Sequence, residues 1–275
     1  MEHKPSLLQK LASSQYILWS LIFIIAPLIL VVYYAFTDAQ GNFTFANIQQ
    51  LSSYGSIFLR SIGYGLIATV ICLLLSYPFA YLLSQSGARR QSTMILLVML
   101  PMWMNFLLRT YSWMTILEDT GLINTFLGFF GIGPLHMINT GGAVVLGMVY
   151  NFIPYMILPL YSVMSKLDKS LVEAAQDLGA NRLAVVRKVI FPLSVPGVVS
   201  GITMVFVPCV STFYISQKLG GGTFSLIGDI IEMQFQTAYN YNLGAALSLV
   251  LMVLILICMA FMNRFADQDS GAMVI

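Results

Sequence analysis

Charge is what this sequence has least of. Aspartate, glutamate, lysine and arginine make up 9% of the 275 residues, against roughly a quarter in a soluble domain, and the mean hydropathy is +0.84. A chain so poor in charge cannot solvate a globular surface, which leaves a polytopic membrane protein. The few charges sum to a net of +2 and are scattered, so there is no electrostatic footprint for nucleic acid. Histidine is rarer still. His3 and His136 both fall outside the apolar runs, so an intramembrane serine protease would lack its base, and the zinc motif H-E-x-x-H is absent. Cys72, Cys209 and Cys258 stand alone in apolar surroundings without a C-x-x-C pair, which excludes a disulfide framework and a metal knuckle. No G-x-x-x-x-G-K-[ST] phosphate loop occurs, so the chain does not by itself hydrolyse ATP in the usual way. The expectation is a non-enzyme with no cofactor or metal of its own. Ionisable groups at mid-membrane depth are missing as well, Arg109 near the end of one run excepted, which disfavours a solitary proton- or sodium-coupled carrier.

What the sequence does have is long apolar runs. Six of about 20 residues are expected to span a bilayer, over 17–36, 62–84, 94–117, 144–163, 193–213 and 243–263. The third is interrupted by Pro101, Asn105 and Arg109. The run to Phe36 is too long for a signal peptide and lacks a small-residue cleavage site, so it is expected to be a retained first span. With the N-terminus inside, ten of the lysines and arginines fall in inner segments and only Arg60, Arg109 and Lys218 fall outside. That bias places both termini in the cytoplasm. The expected organisation is a cytoplasmic segment 1–16, one transmembrane domain 17–263 and a cytoplasmic tail 264–275. Prolines in or beside the spans, such as Pro78, Pro154, Pro159, Pro196 and Pro208, favour a protein that encloses a path, because broken membrane helices survive only where protein or water satisfies the freed backbone. Gly197-Val-Val-Ser-Gly201 has the small-x-x-x-small spacing of closely approaching helices.

The longest charged stretch, 166–197, reads as two short helices joined by a glycine. Ser170 and Glu173 have capping-box spacing, and Asp168 is a second candidate cap. Gly179 can take the left-handed conformation that ends the first helix, and Asn181 can cap the next, over 182–190. Charge placement puts this amphipathic stretch in the cytoplasm, where it needs a partner.

Here the residues resemble a known family. Glu173-Ala174-Ala175-x-x-x-Gly179, followed by Ile190-Phe191-Pro192, is similar to the EAA motif of the permease subunits of bacterial binding-protein-dependent ABC importers. Pro101-x-Trp103-x-Asn105-x-Leu107-x-Arg109-x-Tyr111, Pro159-Leu-Tyr-Ser162, and Phe213-Tyr214 followed by Gly220-Gly221 and Ile227-Gly228-Asp229 resemble the PotB-type spermidine/putrescine permeases. The resemblance implies an all-α polytopic protein with the six transmembrane helices of the type I ABC importer permease fold, in the bacterial inner membrane. It also implies partners: a second, PotC-like permease, two copies of a PotA-like ABC ATPase that binds the ATP, and a PotD-like extracytoplasmic binding protein. Glu173, Ala174, Ala175 and Gly179 would then be the ATPase-coupling residues in the loop 166–192, with Asp177, Asn181 and Arg182 flanking them. Glu173 would cap its helix.

The implied cargo is a polyamine, whose ammonium groups aromatic faces can hold through cation–π attraction. The candidate path residues are Trp103, Asn105, Tyr111, Phe213, Tyr214, Asp229 and Glu232, near the outer side. Trp and Tyr also form the interfacial belt common to membrane proteins. Arg109 is expected to be structural, pairing with Glu118 or Asp119. The alternatives are a permease of the same class for another small solute (an opine, an amino-acid derivative or ferric ion) and, less favoured, an autonomous carrier.

Overall fold

The computed structural model describes residues 15–222 and 224–271. Residues 1–14 of the expected N-terminal segment and 272–275 of the expected tail lie outside the described residues. Among the described residues the chain is helical, with one isolated antiparallel bridge between Thr37 and Phe43. In order, the helices are α1 (Gln15–Ala35), α2 (Ala46–Gln50), α3 (Gly55–Ser84), α4 (Ala88–Trp103), α5 (Phe106–Leu117), α6 (Leu122–Gly128), α7 (Gly141–Met164), α8 (Lys169–Asp177), α9 (Arg182–Ser211), α10 (Tyr214–Leu219), α11 (Ile227–Gln236) and α12 (Tyr241–Gly271).

Five of these elements are long and apolar enough to cross a bilayer, and one bent pair of helices reaches the same length and hydropathy only when its two arms are taken together. α4 and the helical stretch Phe106–Gly128 meet at 89°, so the run 94–117 is a broken element. The cause is local. Met104 and Asn105 are extended, and Asn105 restarts the chain as the N-cap of α5, its side chain accepting the Leu107 N–H at 2.8 Å. α9 differs from its expectation in the other direction. It does not stop at Ile190 but runs on through Pro192, with a π turn at Val186–Ile190 in which the Phe191 N–H reaches back to Val186. α1 has a π turn of the same kind at Leu21–Ile25, ahead of Pro27. The wider turn accommodates a ring that cannot donate an N–H.

Contacts divide the chain into two compact units, one built from residues up to Gly55 and Ile230–Val253, the other from Ser56–Asp229 and the residues from Leu254 on. In the first, Ala35 of α1 packs with Ala245 and Ala246 of α12. The last carbonyls of a helix have no partner within it, and here two asparagine amides supply donors. Asn242 Nδ2 donates to Tyr34 O at 3.1 Å and Thr37 O at 2.7 Å, and Asn47 Nδ2 donates to Ala35 O and Thr37 O at 3.2 and 2.9 Å.

In the second unit, α7 against α9 is the most extensive helix pairing. The two glycines singled out in the sequence make it possible. A Cβ on Gly197 would lie 3.0 Å from the Pro159 carbonyl, and one on Gly201 2.5 Å from Met156 Sδ. Close backbone approach of this kind replaces the hydrophobic driving force that lipid removes. Met148, Met156, Leu160, Val205, Ile215 and Leu219 fill the core around the pair. Cys72 and Cys209 are buried within it as free thiols.

Candidate functional site

The loop 166–192 is built on its helix ends. Asp168, not Ser170, is the N-cap of α8, and its Oδ1 accepts the Ser170 N–H at 2.9 Å. That hydrogen bond holds the Asp168 carboxyl below its ordinary range. Glu173 is the fifth residue of α8, too far along to reach the cap, so the expected capping box does not form. Its carboxylate is exposed instead. At the other end Gly179 has φ +83°, its N–H bonds Gln176 O at 2.8 Å, and the Ala180 N–H bonds Ala175 O at 3.0 Å. These two bonds make a Schellman motif, which needs a residue free of a Cβ penalty at this position. Asn181 then caps α9, accepting the Ala184 N–H at 2.8 Å.

Three tight ends in a row leave α8 standing out from the bundle. Glu173, Ala174, Asp177, Gly179, Asn181 and Arg182 are exposed and Ala175 is half-buried. Two leucines the sequence reading did not single out, Leu178 and Leu183, are 89% and 76% exposed. Between α8 and the inner end of α3 lies a cleft of about 210 Å³ lined by Tyr81, Ser84, Gln85, Val172 and Glu173 among others. The small-residue face and the bare leucines form a surface that another protein can cover.

The expected path residues are not all brought together. Tyr111 of α5 and Tyr214 of α10 meet, ring centroids 6.2 Å apart at 82°, with the Phe106 ring 5.9 Å from Tyr214. α10 is anchored by buried Ile215, Ser216 and Leu219, and Gly147 of α7 leaves the space that Leu219 and Ile215 occupy. Trp103 sits at the last turn of α4, 72% exposed, away from those rings. Phe213 is exposed and Asn105 serves as a cap. Asp229 is buried, accepting from Ser216 Oγ at 2.8 Å and the Leu226 N–H at 2.7 Å, while the adjacent Ile227 N–H donates to Ser61 Oγ at 2.7 Å. These bonds tie down the loop that follows α10. Glu232, half-buried on α11, belongs to the other unit.

Arg109 does not make the expected ion pair. It is 92% shielded, and its Nε and Nη1 have no acceptor among the described residues. Glu118 and Asp119 lie nine and ten residues further on, roughly 14 Å along a helix rising 1.5 Å per residue, beyond the reach of the side chain. Asp119 contacts His136 instead, at 3.1 Å. The residue the sequence reading missed is Lys218. Its Nζ stands 5.4 Å from the Tyr111 ring centre and 5.7 Å from that of Tyr214. The i, i+4 spacing of Tyr214 and Lys218 within one short helix was the available signal.

A family model described as "Binding-protein-dependent transport system inner membrane component" matches residues 2–269. The chain is 36% identical over 251 residues to the spermidine/putrescine transport system permease protein PotB of Haemophilus influenzae, covering 88% of each chain. It is 35% identical over 241 residues to PotB of Escherichia coli, covering 84% of this chain and 88% of that one. The inner membrane ABC transporter permease protein YdcU of Escherichia coli is 28% identical over 258 residues, covering 86% and 82%. Among solved structures, a chain of a bacterial ABC transporter involved in the import of the acidic polysaccharide alginate superposes with a TM-score of 0.77 at 18% identity, covering 95% of both chains. That likeness establishes the importer-permease fold.

Proposed function

Because the chain belongs to the family of binding-protein-dependent transport system inner membrane components, a multi-pass membrane subunit of a transport system, we propose that its cargo is a polyamine, spermidine or putrescine. The observation that carries this reading is the identity of 35–36% to PotB proteins over more than four-fifths of the chain. The chain supplies half of the translocation path, a second permease supplies the other half, and an extracytoplasmic binding protein delivers the cargo. Two copies of a separate ATPase provide the energy, since this sequence holds no phosphate loop.

The loop 166–192 is the seat for that ATPase. Ala174 and Ala175 let α8 sit deep in a cleft of the partner, Leu178 and Leu183 give it apolar area to cover, and the exposed carboxylates of Glu173 and Asp177 face basic groups there. Capping by Asp168 and Asn181 and the turn at Gly179 support the reading, because a rigid lever transmits nucleotide-driven closure and a frayed one absorbs it. Tyr111 and Tyr214 offer ring faces to ammonium groups near the outer side, while Asn105 and Asp229 serve the backbone as a helix cap and a loop anchor.

The test is reconstitution of the chain with a second permease, an ATPase and an extracytoplasmic binding protein of the same importer, followed by uptake of radiolabelled spermidine and putrescine. ATP-dependent accumulation that needs all the components is expected. Accumulation without the ATPase would sink the importer mechanism, and ATPase stimulation by a different solute with no polyamine uptake would sink the cargo.

A further inference from the structure

Lys218 is a cation where a cation would be bound. A half-exposed lysine ordinarily extends its strongly hydrated ammonium into water. Here it folds back along its own helix so that Nζ stands over Tyr214, one turn earlier, and over Tyr111 across on α5. The two rings are nearly perpendicular, so they present two faces of one corner, and Phe106 backs the Tyr214 ring. No carboxylate among the described residues pairs with Lys218; its electrostatic neighbours are the two ring faces and the Tyr111 hydroxyl. The group so held, a methylene chain ending in a primary ammonium, is chemically the end of an alkyl polyamine.

We propose that Tyr111 and Tyr214 form a site for one primary ammonium and that Lys218 is its resident occupant when substrate is absent, displaced into water by the terminal ammonium of a passing polyamine. This rests on the polyamine reading above. The exchange replaces one ammonium on the rings by another, so substrate is never bound much more tightly than the residue it displaces and leaves as readily as it came. A fixed carboxylate at the same place would favour capture and oppose release. Neutral and anionic solutes gain nothing from the ring faces and leave Lys218 in place, so the site discriminates by charge.

The test uses the complete importer in lipid nanodiscs. Reductive methylation of Lys218 is followed by mass spectrometry as a ratio to an added lysine-containing reference peptide, which corrects for reagent consumed by the polyamine. Spermidine is expected to raise the ratio severalfold, and sodium chloride of the same ionic strength is not. Tyr214→Leu should label rapidly with or without spermidine, and Tyr111→Leu likewise, whereas Tyr214→Phe keeps the ring and keeps the spermidine dependence. In uptake assays Lys218→Met should lower the KM for spermidine by about three- to tenfold, because a site occupied most of the time by its own lysine loses apparent affinity in that proportion. In a Tyr214→Leu background the same change should have no effect. An unchanged labelling ratio, or a Lys218→Met effect that survives loss of the ring, overturns the site while spermidine uptake by the unaltered importer leaves the cargo standing. No polyamine uptake by the unaltered importer overturns both.

Discussion

Gly179 shows how a single residue can matter with no contacts of its own. Nothing lies within 4 Å of where its Cβ would be, yet its φ of +83° is a conformation L side chains rarely adopt. Any replacement therefore acts through the backbone alone. Gly179→Ala is expected to cost about 1 kcal/mol in the local turn, loosening the junction of α8 and α9 without disturbing the bundle. Pull-down of the ATPase by the solubilised permease should fall while the amount of permease in the membrane stays the same; normal ATPase recovery and normal uptake would remove Gly179 from the coupling machinery. The sequence pointed to this residue because glycine at a helix end has few other uses. It pointed wrongly at Arg109, whose pairing with Glu118 or Asp119 looked close in number and is distant along the helix.

At the scale of the element, α8 and α9 owe their ends to short polar side chains. Asn181→Ala removes the acceptor for the Ala184 N–H and is expected to cost about 1 kcal/mol of helix stability. Amide exchange over residues 182–186 should quicken severalfold while exchange in α7 is unchanged. If both regions respond alike, the cap stabilises more than its own helix. Asp168 behaves differently with pH. Its carboxyl is held below the ordinary range by the Ser170 N–H, so its contribution is present above the unfolded carboxylate pKa and is lost as pH falls through the lower folded value. Near neutrality the cap is fully ionised. The capping-box spacing of Ser170 and Glu173 misled because the preceding aspartate competes for the same orphan N–H groups and starts the helix earlier.

At the scale of the molecule, the packing of α7 on α9 governs the second unit. Gly197 faces a backbone carbonyl, which cannot move aside as a side chain can. Gly197→Val is therefore expected to push the helices apart and destabilise the unit by about 1–3 kcal/mol, read as a lower unfolding temperature in detergent. Gly201→Ala meets the flexible thioether of Met156 and should lower it less. Equal losses would mean that the pairing tolerates no adjustment at either position.

Composition, periodicity and spacing determined by themselves that the chain lies in a membrane, where most of its helices run, which glycines bring helices together and where the chain breaks into a short charged helix between two spans. Each of these depends on residues close in sequence or on sums over the whole chain: hydropathy over twenty residues, a cap and the N–H two or three places on, a glycine and the turn it closes. Tertiary structure alone decided the rest. The burial of Asp229 among Ser216 and Leu226 and the removal of Trp103 from the ring cluster follow from the angles at which helices leave a turn. Most of all, nothing in the spacing brings Tyr111 to Lys218, more than a hundred residues apart. They meet because α10 is seated on α7 through Leu219 and Ile215, and the seat at Gly147 turns its tyrosine and lysine toward α5.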